Sequence, residues 1–163
     1  MRTVGVAHRA LDMLCERALS RHTKGSVLAD KQKVQEYVAD SYAQLAQFRL
    51  FVLNVAWQID RYQDYKKVRR DIAAIKALTP TVLHDIVQRT IQVHGALGVS
   101  NELPLADWWV TAPVLALADG PTEVHKVTVA REVLKGHKPT DSAWPSEHIP
   151  TRRAAASTKL GTE

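Results

Sequence analysis

Between Val34 and Ile59, apolar or small side chains recur at Val34, Val38, Ser41, Leu45, Phe48, Val52, Val55 and Ile59, alternating steps of four and three. That spacing draws one stripe along one face of an α-helix for roughly 25 residues. A seam so long and so narrow is buried only by other helices laid alongside it at a shallow angle. The chain is therefore expected to be all-α, an antiparallel, up-down four-helix bundle.

The flanking segments supply the partners. Val4, Ala7, Leu11, Leu14 and Ala18 repeat at helical spacing, which predicts a first helix closed by Gly25, with "GSVLAD" as a connector to a second helix starting near Asp30. Val68, Ile72, Ile75, Val82, Ile86 and Val93 carry a third helix from about Asp64 to His94, with Pro80 inside it expected to kink it or leave a carbonyl unpaired. Gly95 suits its C-terminal cap. A short helix is expected over Leu105 to Leu115, and a last one from after Gly120 to Gly136. Residues 1–136 thus read as one bundle, and residues 137–163, with three prolines and no period, as an extended or disordered tail.

Composition limits the functional classes. At 163 residues the chain has length for one domain with a core of its own. No apolar run approaches the ~18 residues of a membrane span, and the first residues do not resemble a signal peptide. A single cysteine, Cys15, excludes an internal disulfide and reads as a small hydrophobe on a helix in a reducing, cytoplasmic setting. The net charge of +5 is densest over Arg61 to Arg70, which also joins two long helices. No nucleic-acid-binding motif accompanies it, so it reads as a solvated turn and nucleic acid is not an expected partner. No metal site is expected either. The seven histidines form no i, i+4 pair, and Glu123 and His125 stand two apart, on different helix faces.

One segment is not accounted for by packing. "LALADGPTEVHK", Leu115 to Lys126, sets an acid, a glycine and a proline between two helices. Either Thr122 or Asp119 could cap the following helix, with Pro121 in its first turn and Glu123 complementing its dipole. That structural reading leaves a carboxylate on a tight turn without a purpose of its own.

Three stretches together resemble the carboxy-terminal helical domain of acyl-CoA dehydrogenases. "SRHTKGSVLADKQ" is similar to the family's Arg-x-x-(Phe)-Gly segment that ends in Gln, and "IQVHGALGVSNELPLAD" to its flavin-binding Gln-x-x-Gly-Gly-x-Gly loop. "LADGPTEVHKVTVAREVLKG" resembles the base-bearing turn, in the branch with Asp where better-known members have Glu. The match covers residues 1 to about 137, in the family's order and helical setting. Three positions depart from the pattern. Ala96 replaces the loop's second glycine, Lys24 the aromatic before Gly25, and Pro113 and Ala116 stand where basic residues are usual.

The resemblance implies an FAD-dependent oxidoreductase domain. Asp119 would be the catalytic base that removes the α-proton of an acyl-CoA thioester while the flavin takes a β-hydride. Carboxylates in water are feeble bases toward carbon acids, so this chemistry favours a dry site. Arg21 and Thr23 would meet the flavin phosphates of a neighbouring subunit, and Gln92, Gly95 and Ala96 its adenine end. Pro121, Thr122 and Glu123 would close on the flavin of the base's own active site. Gly120 would give the thioester room, and Arg131 would lie near the CoA.

The implied partners are the acyl-CoA substrate, sister subunits in a dimer or tetramer, and electron-transfer flavoprotein as acceptor. The family's amino-terminal helical and middle β domains are not within these residues, which suggests a carboxy-terminal fragment or a short gene product. The alternative is a helical oligomerisation module, or truncated remnant, without catalysis.

Overall fold

A computed structural model describes residues 1–161. These fall into two compact units, residues 1–131 and residues 132 onward. The first unit is built on α1 (Arg2–Ser20), α2 (Gln32–Tyr62), α3 (Tyr65–His94) and α4 (Leu105–Leu117). Helix α3 is the central element, packing against each of the other three.

The long stripe is buried as its spacing requires. Val34, Ser41, Leu45, Phe48 and Val55 are buried, while Val38, Val52 and Ile59 are half-buried. All five periodic positions of α1 are buried, and Val68, Val82, Ile86 and Val93 line the inner face of α3. Leu105 and Ala112 of α4 close the core. Two residues make the turn between the long helices. Gln63 takes a left-handed conformation (φ 49°), and the Asp64 carboxylate caps α3 by accepting from the Lys66 amide at 3.0 Å. At that end of the bundle Asp71 accepts from Arg70 and from Gln58 of α2, and the guanidinium beside it holds its carboxyl below the usual carboxylate range.

Thr90 is the polar residue at the centre. It is fully buried, and its hydroxyl lies within hydrogen-bond distance of the Ile86 carbonyl (2.9 Å) and, across the interface, of the Ala10 carbonyl of α1 (3.1 Å). Ala7 and Ala10, both fully buried, keep α1 close enough for that bond. Thr90→Val keeps the volume and removes the donor, while both carbonyls stay within α-helices. The expected loss is about 1 kcal/mol in urea denaturation with an unchanged m-value. An unchanged midpoint would show that the inter-helix bond contributes nothing.

At four places the structure refines the expected elements. The first helix ends at Ser20 rather than running on to Gly25. The chain turns through a two-stranded ribbon, β1 (His22–Thr23) and β2 (Ser26–Val27), and a short 3-10 segment, Leu28–Asp30. Lys24 and Gly25, both at positive φ, form the two-residue turn whose twist suits a hairpin. Second, α3 is one helix through Pro80, which is buried, as its expected span has it. The amide that proline lacks is one hydrogen bond in a helix already anchored by packing on both sides. Third, α5 (Thr122–Leu134) starts after Pro121 and buries no residue, although the pattern assigns it to the bundle. Val124, Val127, Val133 and Leu134 along it are exposed.

The fourth concerns the tail. In the second unit, residues 149–160 form α6 (Ile149–Leu160) rather than an extended or disordered segment. It has no apolar period because it buries nothing. Local preference accounts for it: Pro150 in the first turn, three consecutive alanines, and left-handed Gly161 as the C-cap.

Candidate functional site

The acid turn follows the end of α4. Ala118 is extended, then Asp119 (φ 54°) and Gly120 (φ 98°) are both left-handed, which reverses the chain before α5. Aspartate is among the few side chains that tolerate this region. Gly120 has little choice, because a Cβ there would be strained and would stand 3.3 Å from the His125 ring.

Three hydrogen bonds pin the turn. Lys76 of α3 donates its ammonium to the Leu115 carbonyl at 2.5 Å, the Thr122 hydroxyl donates to the Ala116 carbonyl at 3.3 Å, and His125 donates from Nε2 to the Asp119 carbonyl at 3.3 Å. Thr122 thus reaches back to α4 instead of capping α5. All three bonds hold backbone. The Asp119 side chain is exposed and has no partner among the described residues. Pro121, Glu123 and Arg131 are exposed as well, and Thr122 and Gly120 are half-buried.

A second group collects at the other end of α3. Arg21 uses its backbone, with N–H to the Arg17 carbonyl at 3.0 Å and C=O from the Leu28 amide at 2.8 Å, which leaves the guanidinium exposed. Thr23 and Gln92 are exposed too, and neither side chain is engaged within the described residues. Gly95 (φ 65°) ends α3, as its cap position predicts, and opens a 3-10 segment, Gly95–Val99, that carries Ala96 on its surface. Leu14, Ala18, Val34 and Val93 form one small cluster, with Leu28 and Ala29 packed on it, so the Arg21–Asp30 connector and the end of α3 share one side of the bundle. A guanidinium, a hydroxyl and a carboxamide, all free, are suited to a phosphate-bearing group such as a dinucleotide.

These two groups are not adjacent. Lys76 marks the acid turn and Gln92 the other group, and sixteen residues of α3 separate them, about 24 Å at the helical rise. The predicted residues therefore fall into two separate groups on one domain.

Sequence reasoning missed Lys76 and His125. Lys76 is a basic residue beside the turn, but it comes from another helix, where no local motif marks it. His125, which belongs to no metal-ligand pattern, holds the Asp119 carbonyl. Cys15 is half-buried on α1, and burial pushes its thiol up, away from the reactive thiolate.

Comparison with known proteins follows the same lines. The model of "Acyl-CoA dehydrogenase, C-terminal domain" matches residues 1–134. The chain is 40% identical over 143 residues to "Probable acyl-CoA dehydrogenase FadE2" of Mycobacterium tuberculosis, a match covering 88% of this chain and 35% of the relative. It is 38% identical over 135 residues to acyl-CoA dehydrogenase family member 11 of Homo sapiens, covering 83% of this chain and 17% of that protein. Among solved structures, one from Mycobacterium abscessus assigned to the acyl-CoA dehydrogenases is 38% identical, with a TM-score of 0.81 over 85% of this chain and 34% of its own. The FAD complex of PigA is 26% identical, with a TM-score of 0.75 over 80% of this chain and 33% of its own. In each case the chain spans a third or less of the known protein's length, or close to it.

Proposed function

The chain belongs to the acyl-CoA dehydrogenase family, as its C-terminal domain, and from that premise we propose that it supplies the catalytic base and part of the cofactor and subunit contacts of an FAD-dependent acyl-CoA dehydrogenase. The observation that carries this reading is the acid turn. Asp119 presents an unpartnered carboxylate on a backbone pinned at three carbonyls, which is what a proton acceptor aimed at a substrate carbon requires. Its proposed role is to take the α-proton of an acyl-CoA thioester. Bound FAD would supply the acceptor for the β-hydride.

Gly120 leaves the turn narrow enough for a thioester to approach, and Arg131, exposed on α5, is proposed to meet the CoA. Pro121 to Glu123 would lie against the flavin of the same active site. Arg21, Thr23, Gln92, Gly95 and Ala96 would hold the phosphate and adenine end of a flavin belonging to a neighbouring subunit. Their separation from Asp119 supports that division, because one domain then serves two sites. Self-association follows from the same reading. Leu50, Leu53 and Trp57 project from one face of α2 and are 68%, 44% and 57% exposed, a row suited to a dimer or a tetramer of dimers. Electron-transfer flavoprotein is the proposed acceptor of the electrons.

Purified alone, these 163 residues are expected to be colourless and inactive. Half a pocket leaves a large cofactor solvated, and the cost of ordering it outweighs the remaining contacts. An absorbance spectrum across the flavin bands, with a dye-reduction assay on several acyl-CoA thioesters, checks this. Stoichiometric flavin, or turnover above background, would mean that the domain is sufficient by itself.

A further inference from the structure

The surplus positive charge of the chain is not spread over its surface. Arg61 to Arg70 holds five of the 22 basic residues and one of the 17 acidic ones, which leaves 17 against 16 everywhere else. That run forms one tip of the bundle, where α2 turns into α3, and Arg61, Lys66, Lys67 and Arg69 are all exposed there. Arg70 is held by Asp71, but the other four make no ion pair among the described residues. Folding gains nothing from this arrangement. Lys66 and Lys67 stand in the first turn of α3, which contains no acid, so they oppose the helix dipole. Lys66 and Arg69, three apart on one helix face, repel each other. Nor is the helix end itself an anion site, because the Asp64 carboxylate already accepts from the Lys66 amide. Local rules broken without a gain to the fold mark residues used by something outside it. We propose that this tip is a docking surface for an acidic segment of another protein, whose carboxylates meet Arg61, Lys66, Lys67 and Arg69. The proposal goes beyond the function argued above and needs neither flavin nor acyl-CoA. Along α3, Lys66 lies about 15 Å from Lys76 and about 39 Å from Gln92, so the tip is apart from both groups of predicted site residues.

The aromatic residues of the tip are the second observation. Tyr65 is 70% exposed and Tyr62 47%. The Tyr62 ring is held in place, edge-on to Trp57 with centres 6.4 Å apart and with the Lys67 ammonium 5.8 Å from its own centre. Exposed, fixed rings beside unpaired cations suit a peptide that carries an apolar or aromatic residue between its acids. The turn itself is short and capped, so the cations are displayed on a rigid support and little order is lost on binding. The remaining charges favour a protein over other polyanions. Asp60 and Asp64 lie within the same turn, on either side of Gln63. A nucleic-acid strand, charged at every phosphate, would meet both, whereas a peptide can set neutral residues there. An anionic bilayer draws in apolar side chains, and the one aliphatic residue between Arg61 and Arg70, Val68, is buried in the core.

Titration of the ¹⁵N-labelled 163-residue chain with a capped Glu-Glu-Tyr-Glu-Glu peptide tests this. Amide signals of residues 61–70 are expected to move saturably, with Kd below about 1 mM in 50 mM salt and weakened at least about threefold in 200 mM. The Gln-Gln-Tyr-Gln-Gln peptide should bind at least about tenfold more weakly. Replacing three tip cations together, Lys66→Gln, Lys67→Gln and Arg69→Gln, should weaken the acidic peptide at least about tenfold. Arg2→Gln, Arg153→Gln and Lys159→Gln remove the same charge from exposed positions elsewhere and should change it by less than about twofold. All six side chains are exposed and outside the core, so both triple variants should fold. Equal losses in the two would mean that overall charge alone draws the peptide, and would overturn the proposal. So would the absence of saturable movement at residues 61–70 up to about 5 mM peptide. Tighter binding of an oligouridine of about ten nucleotides, or of vesicles with about 30% phosphatidylserine, would name a different occupant and overturn it as well.

Discussion

Asp119→Asn is expected to abolish acyl-CoA oxidation in an enzyme completed to the length of its relatives, with flavin still bound. Asparagine keeps the size of the side chain and an acceptor oxygen, and like aspartate it tolerates a left-handed backbone, so the turn at φ 54° should survive. What it loses is the ability to accept a proton from carbon. Positioned bases typically contribute 10²–10⁴-fold, and the loss should fall on kcat with KM little changed, because thioester binding does not depend on the transferred proton. The flavin spectrum should be unaltered, since none of the pinning bonds at Leu115, Ala116 and Asp119 involves the carboxylate itself. A variant that keeps more than about a tenth of the normal rate would move the base elsewhere, to Glu123 or Glu102. A parallel test strengthens the geometry: His125→Ala removes the bond to the Asp119 carbonyl and should lower kcat by a smaller factor, because it loosens the turn without removing the acid.

The long helices were legible because burial writes a period into the sequence. Val34 to Ile59 and Val4 to Ala18 had to face inward, and only apolar or small residues satisfy that at helical spacing. Elements that bury nothing leave no such mark. Helix α6 rests on alanine propensity and end signals, and reads from its prolines as a tail. Helix α5 carries enough valine to suggest a core face, although it buries no residue. The Lys24–Gly25 hairpin depends on two successive positive φ values, and a lysine at the first of them gives no warning.

The site divides in the same way. Asp119 and Gly120 stood out because an acid, a glycine and a proline interrupt a helical chain. The tether from Lys76 did not, since it joins residues 39 apart. Nor could spacing tell that Arg21 and Gln92 share one side of the bundle while Lys76, which tethers the acid turn, lies about 24 Å from Gln92 along α3. That separation comes from which helices pack, and packing is a property of the whole chain.

The glycine loop gives the sharpest stability expectation, because its two glycines are needed for different reasons. Gly95 takes φ 65° and faces open space, so Gly95→Ala meets only backbone strain, about 1 kcal/mol. Gly98 has no positive φ, and what it needs is room. A Cβ there would stand 2.9 Å from both the Cα and the carbonyl oxygen of Ile91, and 3.2 Å from the His94 Cβ. The two Ile91 atoms are backbone in the last turns of α3, between buried Thr90 and Val93, and they cannot swing aside as a side-chain tip would. Gly98→Val must therefore lift the Gly95–Val99 segment off α3, at a cost of about 3 kcal/mol or more. For a chain of this size that lowers Tm by roughly 6–12 °C, against about 2–4 °C for Gly95→Ala. Lifting the segment also moves Ala96 relative to Gln92 and Arg21, so in the completed enzyme Gly98→Val should lose flavin on gel filtration while Gly95→Ala retains it. Equal Tm values for the two variants would show that the loop does not rest on Ile91, and that the glycine at position 98 serves the backbone and not the packing.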